Sequence, residues 1–318
     1  VLTTAAYPWS LPFDLWQEET RTYLGQLNVQ RHKLMATLSK LKTPINWNDY
    51  SQVQLLTDIA TVQLGFTAAD RHLLKGENYD GTPLSPWLAW GFPTEQNWVE
   101  NLKTVRLFLD RSGLEYEELQ DLLKTRYIRN KQIIKIQPQT TAKPDTCNLN
   151  ELELDNLNAK ALEHIQYFVR LQKKLGWTIQ EVDLALSQLG IQLGPDTAQT
   201  ASSQLPRSIL TGADGTFLGN PGGSLGGDTS IPGGPGSGTI TVSPPEHTYF
   251  IHLATIQTLK EKLNLSVEQI LTFWTSINTY GEHSLYHQLF QNPAVTTPVN
   301  PAFKLKQTPA NPTLQQVP

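Results

Sequence analysis

Four short phrases with one shared grammar set the limits on what this chain can fold into. Residues 64–74 read LGFTAADRHLL, 112–123 SGLEYEELQDLL, 175–186 LGWTIQEVDLAL and 263–274 LNLSVEQILTFW. Each places Gly or Asn first, then one large apolar residue, then a capping residue, then an acid or amide three positions further on. Helix-end chemistry accounts for every slot. Gly65, Gly113, Gly176 and Asn264 suit the left-handed backbone that closes a helix, where a Cβ is penalised. Thr67, Thr178 and Ser266 can accept the free N–H groups that open the next helix. Glu181 and Gln269 complete capping boxes, and Asp70 is a shorter substitute. Glu115 is a weaker cap whose charge still favours a helix N-terminus.

Apolar residues at 3–4 spacing flank these joints. Ala161, Ile165, Phe168 and Leu175 precede the third, and Ile179, Val182, Leu186 and Leu189 follow it. Ile256, Leu259 and Leu263 precede the fourth, with Val267, Ile270, Trp274 and Ile277 after it. Such stripes describe helices with one buried face, and a joint of two or three residues makes consecutive helices near neighbours. The joints lie 48, 63 and 88 residues apart, too uneven for a solenoid of fixed period. The fold class expected is mainly α: an irregular multi-helix domain of helix-turn-helix hairpins, with a few short strands and a long Gly-rich loop.

Four segments follow. Residues 1–192 form an α-helical segment, opening on one long amphipathic helix in LWQEETRTYLGQLNVQRHKLMATLSKL with Gly25 as its weak point. KQIIKIQP, at 131–138, alternates like a short strand ended by Pro138. Residues 193–247 are a Gly/Pro-rich insertion, in which GADGTFLG and GTITVS are strand candidates for pairing with each other or with KQIIKIQP. Residues 248–290 form a helical hairpin packing on the first segment, and 291–318 a Pro-rich extended tail. The start on Val1 and this tail read as cuts in a longer polypeptide.

Composition excludes more than it assigns. Charged residues make up 17% of the chain, the net charge is −4 and the pI is near 6.0, so nothing electrostatic favours nucleic acid or an anionic membrane. RYIRNKQ, the densest basic cluster, is too short for a nucleic-acid footprint. No apolar run approaches the length of a transmembrane helix. Cys147 stands alone, so neither an intrachain disulfide nor a Cys-based zinc site can form. The Gly-rich segment lacks GxxxxGK[ST], and GGSLGGDTS has the wrong spacing for calcium-binding nonapeptides.

Candidate chemistry is thin. His283 and His287 lie four apart, but Glu282 stands outside the HExxH order and no further ligands accompany them. The pairs Glu117–Glu118 and Glu151–Glu153 read as acidic helix starts. No catalytic residue, cofactor site or metal ligand set is assigned. The aromatic cluster SPWLAWGFPTEQNW offers Trp87, Trp90 and Trp98 as partner-binding residues if exposed. If buried, they pin a connection bracketed by Pro86 and Pro93.

Four longer phrases resemble one family: YPWSLPFDLWQEETRTYLGQLNVQRHKLM, TVRLFLDRSGLEYEELQDLLKTRYIRN, CNLNELELDNLNAKALEHIQYFVRLQKKLGWTIQEVDLAL, and INTYGEHSLYHQLFQNPAV followed by NPAFKL. In this order they are similar to the A component of bacterial Tc (toxin-complex) insecticidal toxins and the related Salmonella virulence-plasmid A-type proteins. The similarity covers most of residues 7–192 and 248–305. Glu115 departs from the family's preference for Ser or Thr at that place. The resemblance implies a non-enzymatic segment of an α-helical shell, in a subunit that forms homopentamers around a translocation channel. It also implies a B–C toxin cocoon and a host-cell receptor or glycan as partners, and release from the bacterium with no signal peptide in this chain. The alternative is a stand-alone helical module that binds a host glycan or a secretion-machine partner.

Overall fold

The computed structural model describes residues 1–39, 45–47, 49–194, 248–279 and 284–294. GADGTFLG, GTITVS, His283 and the tail beyond residue 294 lie outside these residues. The described chain is mainly α-helical. The helices in order are α1 (Leu15–Gln26), α2 (Arg31–Leu38), α3 (Tyr50–Gln63), α4 (Ala68–Lys75), α5 (Pro86–Ala89), α6 (Trp98–Leu102), α7 (Val105–Ser112), α8 (Tyr116–Lys124) and α9 (Arg126–Arg129). Strands β1 (Lys135–Pro138) and β2 (Leu152–Asp155) follow, then α10 (Ala159–Leu175), α11 (Ile179–Gln188), α12 (Tyr249–Leu263), α13 (Val267–Leu271) and a π-helical turn at His287–Gln291. No described helix is long and apolar enough to cross a membrane.

The four phrases are helix joints. Gly65, Gly113, Gly176 and Asn264 have φ of +78°, +59°, +65° and +51°, the left-handed turn that ends each preceding helix. The caps beyond them close by reciprocal bonds. Asp70 accepts the Thr67 N–H at 2.9 Å while its own N–H reaches Thr67 Oγ1 at 3.0 Å. Thr178 with Glu181 and Ser266 with Gln269 make the same pair of bonds at 3.0 and 3.2 Å. At the second joint Glu118 accepts the Glu115 N–H at 2.9 Å, so the cap there is supplied from within the helix.

Three expectations are corrected. The opening helix is two helices, and the break falls after Gly25, at Asn28. There φ is +55° and the Val29 N–H returns to the Leu24 carbonyl at 2.8 Å, a Schellman closure that Gly25, inside α1, does not need. The stripe after the fourth joint overstates its helix, because α13 stops at Leu271 and Phe273 is exposed. Glu151 and Glu153 do not open a helix: residues 152–155 form β2, and α10 begins at Ala159 behind Asn158, which accepts the Ala161 N–H at 2.8 Å.

The strand expected in KQIIKIQP exists as β1, and its partner is β2. They run antiparallel in register Lys135↔Asp155 to Pro138↔Leu152. The other edge of β2 is held by the start of α7, where Thr104 bridges Glu153 and the Leu154 N–H reaches the Lys103 carbonyl at 2.7 Å. Both edges of a short strand are thus satisfied, and Leu152 and Leu154 turn inward.

The chain divides into two compact units, one of residues 1–14, 66–203 and 255–318, the other of 15–65 and 204–254. Residues 1–192 contribute to both. In the first unit α10 is the axis: Leu162, Ile165, Phe168, Val169 and Leu171 are buried, and α4, α5, α9 and α11 pack around it. In the second, Val53, Ile59, Ala60 and Leu64 of α3 are buried, as are Phe250, Ile251 and Leu253 of α12, and Gln63 donates to the Ala254 carbonyl at 3.2 Å.

Gly176→Ala is expected to destabilise the first unit by about 1 kcal/mol, since Ala is penalised at positive φ, whereas Gly25→Ala in helical backbone is expected to raise α1 helicity. Chemical denaturation and far-UV circular dichroism of the two variants check the contrast.

Candidate functional site

The most tightly arranged polar group in the first unit centres on Arg170, about one and a half turns before the end of α10. It lies inside the buried run from Ala161 to Leu171 and is itself 0% exposed. A guanidinium there must find acceptors, because an unpaired buried charge costs several kcal/mol. They come from the irregular segment of residues 1–14, whose carbonyls have no helix or sheet to occupy them. Nη1 donates to the Trp9 carbonyl at 3.2 Å and the Leu11 carbonyl at 2.6 Å, and Nη2 donates to the Ala6 carbonyl. The guanidinium carbon also stands 5.6 Å from the centre of the Trp9 ring.

The counter-charge is Asp70, also buried, with Oδ1 3.7 Å from Arg170 Nη1. Asp70 Oδ2 accepts the Thr67 N–H, the Thr67 hydroxyl and Lys174 Nζ, each at 2.9 Å. One carboxylate therefore caps α4 and joins α4 to two residues of α10 spaced four apart. Burial pushes the Arg170 guanidinium down to about 10 and Asp70 opposes that shift, so the group is protonated at neutral pH. Both Nη atoms are committed to main-chain carbonyls, and the cluster works as a clasp.

The segment of residues 1–14 is fastened a second time. Trp9 Nε1 donates to the Arg111 carbonyl at 3.1 Å, and Arg111 lies 5.1 Å from the ring centres of both Tyr7 and Phe92 while donating to the Gly91 carbonyl at 3.3 Å. Gly91 is required here. Its φ is +76°, and a Cβ would come within 2.5 Å of Arg111 Nη1 and 2.7 Å of the Tyr7 ring.

Helix ends absorb the other placed charges. Lys173 donates to the Gly113 carbonyl at 2.8 Å, closing the end of α7 from α10. Asp183 of α11 accepts the N–H groups of Arg126 and Tyr127 at 3.0 and 2.8 Å, capping α9, and burial still pushes its carboxyl above the usual range. Glu181 continues from its capping box to Lys260 at 2.9 Å. Burial would raise its carboxyl, but bonds from Lys260 and Thr178 outweigh that and hold it below the ordinary value. Trp177, at the same joint, is buried and donates from Nε1 to Gln257 at 2.7 Å.

Two of the three tryptophans offered as binding residues are buried. Trp90 is 0% and Trp98 4% exposed, and Trp87 is half-buried. Trp90 donates to the Leu162 carbonyl at 3.3 Å and meets Trp9 edge-to-face at 5.6 Å, so its polar edge is already satisfied inside the core. This corrects the binding reading of Trp90 and Trp98. His287 begins the π-helical turn, and among the described residues no group of three His, Cys, Asp or Glu is placed to hold a metal ion. The four joints stand apart along the chain, and only Thr67, through Asp70, belongs to the clasp.

Sequence reasoning passed over Arg170, Lys173, Lys174, Asp183 and Gly91. Arg170 did leave a signal: one charge inside FVRL, in the middle of an apolar helical run. Nothing local marks the others, because their partners lie 56 or more residues away for the three lysine and aspartate contacts and across the fold for Gly91.

Comparison of the chain with protein-family models, with curated proteins and with solved structures gives no match. Fold and site together define a mainly α-helical protein whose buried charges fasten helices to one another.

Removing Asp70 strands a buried guanidinium, so Asp70→Ala should cost on the order of 3–5 kcal/mol, while Asp70→Leu combined with Arg170→Met should cost less than the sum of its single changes. Urea denaturation of the double-mutant set measures this coupling. In the second unit, burial pushes His252 from the ordinary 6.5 down to about 4. Below the ordinary value the unfolded chain takes up a proton that the folded one refuses, so stability should fall as pH drops through that window, by up to about 3 kcal/mol. Denaturation midpoints at several pH values should show the slope, and His252→Leu should remove it.

Proposed function

We propose that this chain is a non-enzymatic structural segment of the outer shell of a toxin-translocation A subunit. One observation carries the reading: α1 and α2 contain no buried residue, and Trp16, Tyr23, Leu27 and Leu38 are 77%, 70%, 71% and 74% exposed. Large apolar side chains left in water along two consecutive helices are the mark of a surface that another part of an assembly covers. The resemblance of the four longer phrases to the A component supports reading that assembly as a toxin-translocation subunit. The arrangement of charges supports the same role, since Arg170, Lys173, Lys174, Asp183 and Glu181 all act at helix ends or between helices.

In this role the segment encloses a translocation channel built by other regions of a homopentamer, which receives its toxic enzyme from a B–C cocoon and engages a host-cell receptor. The chain's own task is rigidity: short helices fastened at their ends stiffen the wall without a large sheet.

Mass photometry and negative-stain electron microscopy of the whole gene product containing this chain test the proposal. The expected particle is a pentamer with a central channel and this segment in its outer wall. A particle that stays monomeric at micromolar concentration, with no channel, would sink the reading.

A further inference from the structure

Within residues 15–65, α1, the Asn28 turn, the first turn of α2 and the end of α3 line a half-open cavity of about 300 Å³, with Arg21, Gly25, Val29 and Gln30 exposed at its mouth. That is the lower end of the size range of small-molecule sites, ~300–1,000 Å³. Gln17, Arg21, Leu24 and Gly25 share one face of α1 by their spacing, and all line the cavity. Arg31 and His32 face it from α2, and Val62 and Gln63 from α3.

Arg21 and Arg31 line this space together with His32, and no Asp or Glu is among its lining residues. Arg21 is held by both carboxylate oxygens of Glu18, at 2.9 and 3.1 Å. Arg31 has no carboxylate partner among the described residues. A guanidinium at a cavity wall, with no acid in the lining, is a ready receptor for an anion, and its planar fork matches a carboxylate.

Gly25 adds an independent observation. It lies inside α1, where glycine is the least favourable residue after proline. Its φ is not in the left-handed region, and an added Cβ would meet nothing within 4 Å. Neither backbone conformation nor crowding calls for glycine there. What its missing side chain leaves is open space in the cavity.

The geometry points to a binding site for a carboxylate-bearing sugar of monosaccharide size, a uronic acid being the simplest. Arg31 receives the carboxylate. The amide of Gln30 can both donate to and accept from hydroxyl groups, and Leu24 with Val62 gives the ring an apolar wall. The volume and the amide favour such a ligand over a bare inorganic ion. The inference is independent of the shell reading, because it concerns only residues 15–65.

Saturation-transfer NMR on the 318-residue chain, with sodium glucuronate and glucose as separate probes and sodium sulfate as a competitor, tests it. Glucuronate should bind about tenfold more tightly than glucose, and Arg31→Gln should weaken it by a similar factor, the loss expected for one charge-assisted pair. Gly25→Gln should abolish binding while raising the helicity of α1 in the circular dichroism spectrum, as Gly25→Ala does. Absence of a glucuronate signal, sulfate that competes as tightly as glucuronate, or unaltered binding in Arg31→Gln would each overturn the assignment. Arg31 is partly exposed and makes no ion pair among the described residues, so its variant tests the site even if Gly25→Gln disturbs α1.

Discussion

A guanidinium with no water around it is the constraint on which the first unit turns. Arg170 is fully buried, and its charge is tolerable only because three carbonyls of residues 1–14 and the Asp70 carboxylate surround it. The dependence runs both ways. The opening residues have no regular structure of their own, and their carbonyls need donors as much as Arg170 needs acceptors. Asp70 is held by its own capping box, so the counter-charge is fixed by the start of α4. A segment without secondary structure, a helix start and a helix interior are thereby bound at one point.

The same economy recurs elsewhere in the unit. Helices of four to ten residues are marginal on propensity alone, since nucleation is costly and few bonds follow it. Here their ends are completed from a distance: α9 by Asp183, α7 by Lys173, α11 by its own box and then by Lys260 through Glu181. Each contact satisfies an orphan backbone group or a capping acid and fixes two elements together. A fold made of many short helices depends on such bonds more than a bundle of long ones does, because the ratio of ends to length is high.

The second unit shows the opposite condition. Its α3 has a buried face, yet α1 and α2 present Trp16, Tyr23, Leu27 and Leu38 to solvent. Its polar cavity and its apolar exterior are separate features of the same two helices. The first lies in the elbow at Asn28, where the chain turns sharply enough to leave space between the helices. The second is carried by Trp16, Tyr23 and Leu38, all largely exposed.

The helix joints were legible in the sequence because everything that makes them is local. A left-handed Gly or Asn, a hydroxyl and an acid three residues on are set by backbone geometry within one turn, so the phrases around Gly65, Gly176 and Asn264 mark their helix ends wherever they occur. The mainly α class followed from the same signals, as did the strand ending at Pro138. Tertiary structure alone decided the rest. β1 pairs with 152–155, a segment whose leucines alternate too briefly to be told from a helix start. The first long helix breaks at Asn28, because a Schellman closure depends on the backbone path and not on which residue is weakest. Trp90 is buried and Arg170 is placed at the centre of the clasp by contacts spanning 72 and about 160 residues, respectively. Local hydrogen bonds can be read from neighbouring letters. A buried charge finds its partners only when the whole chain has closed around it.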